Sequence, residues 1–431
     1  MRIFALSAWL LLATAFAGEA PLDGAQIKTA IAQLGSDDFG AREAAMAALK
    51  KIGDPLVPVL SEALAAEKDA ETRQRLSELL ALWPNGGSVW EFEAGYVFGL
   101  PVVADGRVYV GNKDMNFFCL DFDTGKVLWK TPIEGMMYHS PAVADGRVYV
   151  IRTRKGGVPD GTLICLDARD GSQLWTFHSE DSQNFTASMI RGAHVFIAND
   201  DVLFCLDAAT GAKLWEYRAP QTILSAPSIA DGRVLVGSLD HKLHCISEKD
   251  GTQLWEFETG DAVYAGACIA DGRAYAGSND NTLYCLELKT GAKRWAYPAT
   301  GRIAHAPACG GGKIFFASDD GVLTCLNAET GTRTWVREIG GTACASPSVS
   351  ASRVYLVTIL NEMRMSCVDT AGAPQWTYTT REAGYASPVI CGRRMLIGYH
   401  SMFFCIRTGA PGPDSWPMTG GNAARTGNND R

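Results

Sequence analysis

Twelve cysteines and seven histidines give this 431-residue chain its main capacity for chemistry, and their spacing decides which kinds are open. In an exported chain so many cysteines ordinarily suggest a disulfide framework. Eight of them, however, recur at a single repeat position: Cys119, Cys165, Cys205, Cys245, Cys285, Cys325, Cys367 and Cys405. Cysteine at such a position reads as a small buried hydrophobe. Equivalent strands of adjacent repeats should lie beyond the roughly 7 Å Cα limit for a bridge, so free buried thiols are expected. Cys268, Cys309, Cys344 and Cys391 fall at differing offsets with no evident pairing, and no C-x-x-C spacing of a zinc or redox site occurs. Among the histidines, His139, His178, His194, His241, His244, His305 and His400, the closest approach to a metal pattern is His241 with His244. Three residues apart on a strand, they point to opposite faces, one to the surface and one to the core. Asp240, Asp280, Asp319 and Asp320 recur between second and third strands, where a cation ring and ordinary turn chemistry are alternatives. Asp is a preferred turn residue, which favours the second.

The elements that hold these residues follow from a longer period. Tryptophan recurs at Trp90, Trp129, Trp175, Trp215, Trp255, Trp295, Trp335 and Trp376, mostly forty residues apart. Residues 226–257 typify the unit: short apolar strands separated by Asp231-Gly232, by a polar turn and by Asp250-Gly251. Four strands joined by such turns make an antiparallel meander, one blade of a propeller. The segment Cys-x-Asp-x-x-Thr-Gly-x-x-x-Trp is intact at Cys119, Asp121, Thr124, Gly125 and Trp129, and again at Cys205, Asp207, Thr210, Gly211 and Trp215. Gly supplies the positive φ of the turn, Asp and Thr bond its backbone, and the indole is free to lie between blades. The expected fold is therefore an all-β, eight-bladed propeller over residues 88–408. Val89-Trp90-Glu91-Phe92 mimics Leu254-Trp255-Glu256-Phe257 and is expected to complete the last blade. Trp416 is the competitor, but Pro411, Pro413 and Pro417 make a poor strand.

Ahead of the repeats, residues 18–84 form a small α-helical, HEAT-like segment. Asp37 or Asp38 caps a helix from Ala41 to Ile52, Asp54-Pro55 opens a second from Leu56 to Ala66, and Thr72 to Leu82 forms another. Residues 1–17 read as a signal peptide, with Arg2, an apolar run, and Ala15-Phe16-Ala17 as the cleavage site. A periplasmic or secreted protein follows, with no membrane span after cleavage and no lipid-bearing cysteine, since Cys119 is the first. Residues 409–431 form a C-terminal tail. A net charge of −8 argues against nucleic acid, whose phosphates require a basic surface.

The tryptophan motif closely resembles that of pyrroloquinoline-quinone-repeat propellers, shared by quinoprotein dehydrogenases and the propeller lipoprotein of the outer-membrane β-barrel assembly machine. The resemblance covers about three quarters of the chain. Quinoprotein dehydrogenases carry a vicinal cysteine pair over the cofactor and long insertions; this chain has no Cys-Cys, and its one sizeable insertion is Arg152 to Gly161. No cofactor is therefore expected, with pyrroloquinoline quinone and calcium disfavoured. The expected function is a non-catalytic interaction scaffold of the bacterial envelope with envelope proteins as partners. The alternative is a small-ligand or glycan-binding propeller, and a quinone-dependent oxidoreductase ranks below both. Aligning the first strands puts Phe98, Tyr138, Phe185, Leu224, Tyr264, Ala304, Cys344 and Tyr385 in one column, with His139 and His305 just beyond. This aromatic collar at the central funnel is the candidate binding surface, the opposing reading being that the rings only plug the channel.

Overall fold

A computed structural model describes residues 24–407 apart from 53–59, 61–62, 65, 82–87, 96–100, 113, 156–157, 180–184, 350–352, 360–362, 380–388, 392–393 and 400–401. The chain divides near residue 90 into two compact units. Helices at Gly24–Gln33, Phe39–Ile52 and Ala70–Ala81 belong to the first. Leu60, Ala63, Leu64 and Ala66 are also helical, while the start of the helix expected from Leu56 lies outside the described residues. Asp38 Oδ1 accepts the Gly40 N–H at 2.8 Å, and Asp69 Oδ2 accepts the Thr72 N–H and hydroxyl, each at 2.7 Å. These are N-caps, satisfying amides that no helical carbonyl reaches. Leu34, Leu49, Leu60, Leu76 and Leu79 are wholly buried in one shared core. The Gly24–Gln33 helix was not separately foreseen; Ile27, Ala30, Ile31 and Leu34 give it an apolar face at helical spacing.

Among the described residues the strands from Ser88 onwards form eight antiparallel sheets. Blade 4 shows the pattern: Ser228–Ala230, Arg233–Gly237, Lys242–Ser247 and Gln253–Glu258, each pairing with the next. Asp231 (φ 48°) and Gly232 (φ 71°) both take the left-handed conformation that a two-residue hairpin demands. Cys245 lies opposite Trp255, and a bulge follows at once between Cys245 and Ile246. Third strands are buried nearly throughout, whereas the fourth alternates between exposed and half-buried, as suits an outer edge. Inner strands of successive blades touch one another. The insertion in blade 2 is a lengthened hairpin: strands Arg147–Lys155 and Val158–Asp167 stay paired out to Lys155 and Val158.

Ser88–Glu93 is the outer strand of the last sheet, beside Met402–Arg407, Arg394–Tyr399 and Val389–Cys391. The earliest strand of the propeller thus completes the final blade. Trp416 lies outside the described residues. That blade in turn reaches blade 1: Arg394 donates to the Phe122 carbonyl at 2.8 Å, lies 4.8 Å from the Phe122 ring centroid and pairs with Asp123 at 2.9 Å. Arg107 donates in the same way to Ala168 in the next blade. Among the described residues no helix is long and apolar enough to cross a membrane.

Candidate functional site

The repeat motif is built to join blades. Trp129, Trp175, Trp215, Trp255, Trp295 and Trp335 each donate the indole N–H to a carbonyl in the turn of the following blade, at 3.0 to 3.3 Å. Each ring is covered by the motif glycine of that blade. A Cβ at Gly171, Gly211, Gly251, Gly291, Gly331 or Gly372 would fall 2.5 to 2.8 Å from the nearest indole carbon, and all six have positive φ. Glycine is required twice over there, by backbone conformation and by the ring against it. The motif aspartate holds the turn: Asp207 Oδ1 accepts the Thr210 N–H and hydroxyl at 2.8 Å each, which lowers the Asp207 pKa. Trp90 is buried, and Trp376 lies opposite Cys367.

The eight repeated cysteines are buried and form no disulfide. Burial, by penalising the thiolate, pushes Cys119, Cys285 and Cys325 up to about 11 and Cys165, Cys205, Cys245 and Cys367 up to about 12. Such thiols are poor nucleophiles. One expectation needs correction: Cys268 and Cys309, which showed no evident pairing, form a disulfide across the inner strands of blades 5 and 6, with Cα atoms 6.5 Å apart. The pairing crosses a blade boundary at unlike repeat offsets, so no repeat alignment exposes it.

Of the funnel column, Phe98 and Tyr385 lie outside the described residues. Tyr138 and Tyr264 are exposed, at 36% and 41%. The Tyr138 hydroxyl donates to Met136 Sδ at 2.8 Å, and His139 beside it is half-buried. Leu224, Ala304 and Cys344 are half-buried in the corresponding places. Phe185 departs from the column. It is buried with Ala142, Tyr149 and Ile190 and bridges Asn199, as Ile223 bridges Ser238 in blade 4. The approach to the blade 3 strand is one residue shorter than that of blade 4, so the position held by Leu224 has no counterpart and Phe185 turns into the core. His305 approaches the Ala343 carbonyl at 3.0 Å through Nε2. Burial lowers its pKa, so the neutral ring donates from Nε2, since a carbonyl only accepts.

The other polar residues serve the scaffold. His244 is wholly buried, its Nε2 3.0 Å from Asp240 Oδ2 and its Nδ1 3.0 Å from the Tyr217 hydroxyl. His241 is an exposed turn residue with positive φ, 3.8 Å from Asp261. The two are thus divided between core and surface. Asp240 and Asp280 accept the Lys242 and Thr282 amides of their own turns at 3.1 and 2.9 Å. Tyr284 also donates to Asp280, at 2.7 Å. Among the described residues no group of three or more His, Cys, Asp or Glu side chains is placed to hold a metal.

Comparison with known proteins agrees with this geometry. The sequence matches the family described as outer membrane protein assembly factor BamB over residues 75–193, 159–301, 239–390 and 300–416. The structure of BamB from Moraxella catarrhalis superposes with a TM-score of 0.65 at 16% identity, over 74% of this chain and 99% of that one. The computationally designed protein Ika8 superposes with a TM-score of 0.63, also at 16% identity, over 74% of this chain and 98% of that one. No protein of curated function matches the sequence.

Proposed function

The chain belongs to the family of the outer membrane protein assembly factor BamB, and from that premise we propose that it is a non-catalytic interaction scaffold of the bacterial envelope. Envelope proteins are its partners, and export through the cleaved signal at residues 1–17 places it in the periplasm or outside the cell. The observation that carries this reading is the inward use of the repeat's chemistry. Indole N–H groups are spent on neighbouring blades, motif carboxylates on their own turns, and thiols in the core. Exposed aromatic surface stands instead at Tyr138 and Tyr264, on segments that lead into inner strands. Exposed aromatic rings suit protein contacts, where tyrosine is enriched. The helical unit offers a second surface. The same two rings favour one other reading, a funnel that stacks a glycan or another small ligand.

The test places a photo-crosslinking residue at 138 or 264 in the exported protein, with the exposed outer-strand positions Leu174 and Leu254 as controls. Discrete protein adducts at 138 and 264, absent at the controls, are expected. Equal labelling at all four positions, or none at the first two, contradicts the scaffold reading. A parallel titration with pyrroloquinoline quinone, with and without calcium, is followed by absorbance and melting temperature. No binding is expected, and stoichiometric, saturable binding would replace the scaffold reading by a cofactor-dependent one.

A further inference from the structure

We infer that Cys268 and Cys309 are a dedicated oxidation site, closed by a dithiol–disulfide donor of the envelope, which latches the inner strands of blades 5 and 6 and the segments bearing Tyr264 and His305. The inference goes beyond the scaffold reading and rests only on its premise of export to the envelope. Twelve cysteines are present, yet this pair alone is bridged among the described residues. Cys268 opens the strand Cys268–Ala270, and Cys309 is central in Ala308–Gly310 of the adjacent blade. The repeat does not supply this arrangement elsewhere: where blade 5 has Cys268, blades 4 and 6 have Ser228 and Ala308, and where blade 6 has Cys309, blades 4 and 5 have Ile229 and Ile269. The two sulfurs come together only after blades 5 and 6 have docked.

Selectivity follows from juxtaposition. Cys268 is half-buried and has the buried Cys309 within bonding reach, their Cα atoms 6.5 Å apart. Cys344 and Cys391 are also half-buried but form no disulfide, and the repeated thiols are enclosed, which disfavours the thiolate needed for exchange. The Cys268 thiolate attacks the donor's disulfide and forms a mixed disulfide, expelling one donor sulfur as a thiolate. Cys309, losing its proton, then attacks the Cys268 sulfur and releases the second donor sulfur. Two cysteine thiols thereby lose two protons and two electrons, and the donor leaves as a dithiol. The bridge closes a loop with a sequence separation of 41 residues. Tyr264 stands four residues before Cys268 and His305 four before Cys309, so the bond ties together the two segments that lead to the inner strands.

The test is a thiol count on the full chain purified from the envelope, alkylated after denaturation without reductant. Ten modified cysteines are expected, rising to twelve after reduction, with one tryptic species joining residues 250–273 to 303–313. Twelve modified before reduction, or a bridge to any other cysteine, overturns the inference. Hydrogen exchange provides a second readout that does not rely on a variant. On reduction, residues 259–270 and 299–310 should exchange faster while blades 1 to 3 do not change. Unchanged exchange in those two segments would reduce the bridge to an incidental one and overturn the latch.

Discussion

Gly251 and Gly232 lie in the same blade with nearly the same backbone, φ 75° and 71°, but face different surroundings. A Cβ on Gly251 would lie 2.7 Å from Cε3 and 2.9 Å from Cδ2 of Trp215, whereas one on Gly232 meets nothing within 4 Å. Both substitutions to alanine incur the left-handed penalty of roughly 1 to 2 kcal/mol, and both gain the same small amount from a stiffer unfolded chain. Gly251→Ala alone must also push the indole out of place, an overpacking cost of about 1 to 3 kcal/mol, and strains its hydrogen bond to the Glu248 carbonyl. The expected losses are about 1 to 2 kcal/mol for Gly232→Ala and about 2 to 5 kcal/mol for Gly251→Ala. Urea unfolding followed by tryptophan emission gives both midpoints, and Gly251→Ala should also red-shift the native emission. Equal destabilisation by the two variants would show that the motif glycine answers only to backbone conformation, and the account of blade docking would fail.

Arg394→Ala removes a charged hydrogen bond and a cation–π contact that link the last blade to the first; a loss of about 2 to 4 kcal/mol in urea unfolding is expected, with Arg394→Lys recovering only part. Stability should fall at alkaline pH: the buried thiols stay protonated in the folded chain up to about 11 or about 12 while unfolded thiols ionise near 9, so their contribution is complete below pH 9 and is lost as pH rises from 9 towards 12. Circular dichroism against pH should show this, and Cys245→Ala should reduce the slope above pH 9 by about 1.4 kcal/mol per pH unit. Replacing Cys268 and Cys309 together by serine frees a loop with a separation of 41 residues and should cost about 4 kcal/mol, measured by urea unfolding under non-reducing conditions.

The architecture was legible because it is written locally and many times. Blades 1, 2, 4 and 5 repeat an Asp-Gly hairpin, and blades 1 to 7 repeat a cysteine opposite a tryptophan and a motif glycine at positive φ, so one error in reading any single copy is outvoted by the others. Trp90 could be matched to the closing strand because Val89 to Phe92 copies the fourth-strand sequence of blade 4. The separation of His241 from His244 was expected from strand alternation, but its cause is that His241 sits at positive φ in the turn before the strand Lys242–Ser247, whereas His244 lies within that strand. Phe185 misled the alignment of the funnel column because a missing residue in an irregular approach segment leaves no mark in composition or period.

Sequence alone thus determined the strand pattern, the blade boundaries and the chemistry of the turns, since those depend on residues within a few positions of one another. Tertiary structure decided which aromatic side chains are exposed, which ring is withdrawn into the core, and that Cys268 meets Cys309. Those outcomes depend on how two neighbouring blades stack, about forty residues apart in the chain. A one-residue change in an approach segment shifts the facing of a side chain, and only the packed propeller registers it.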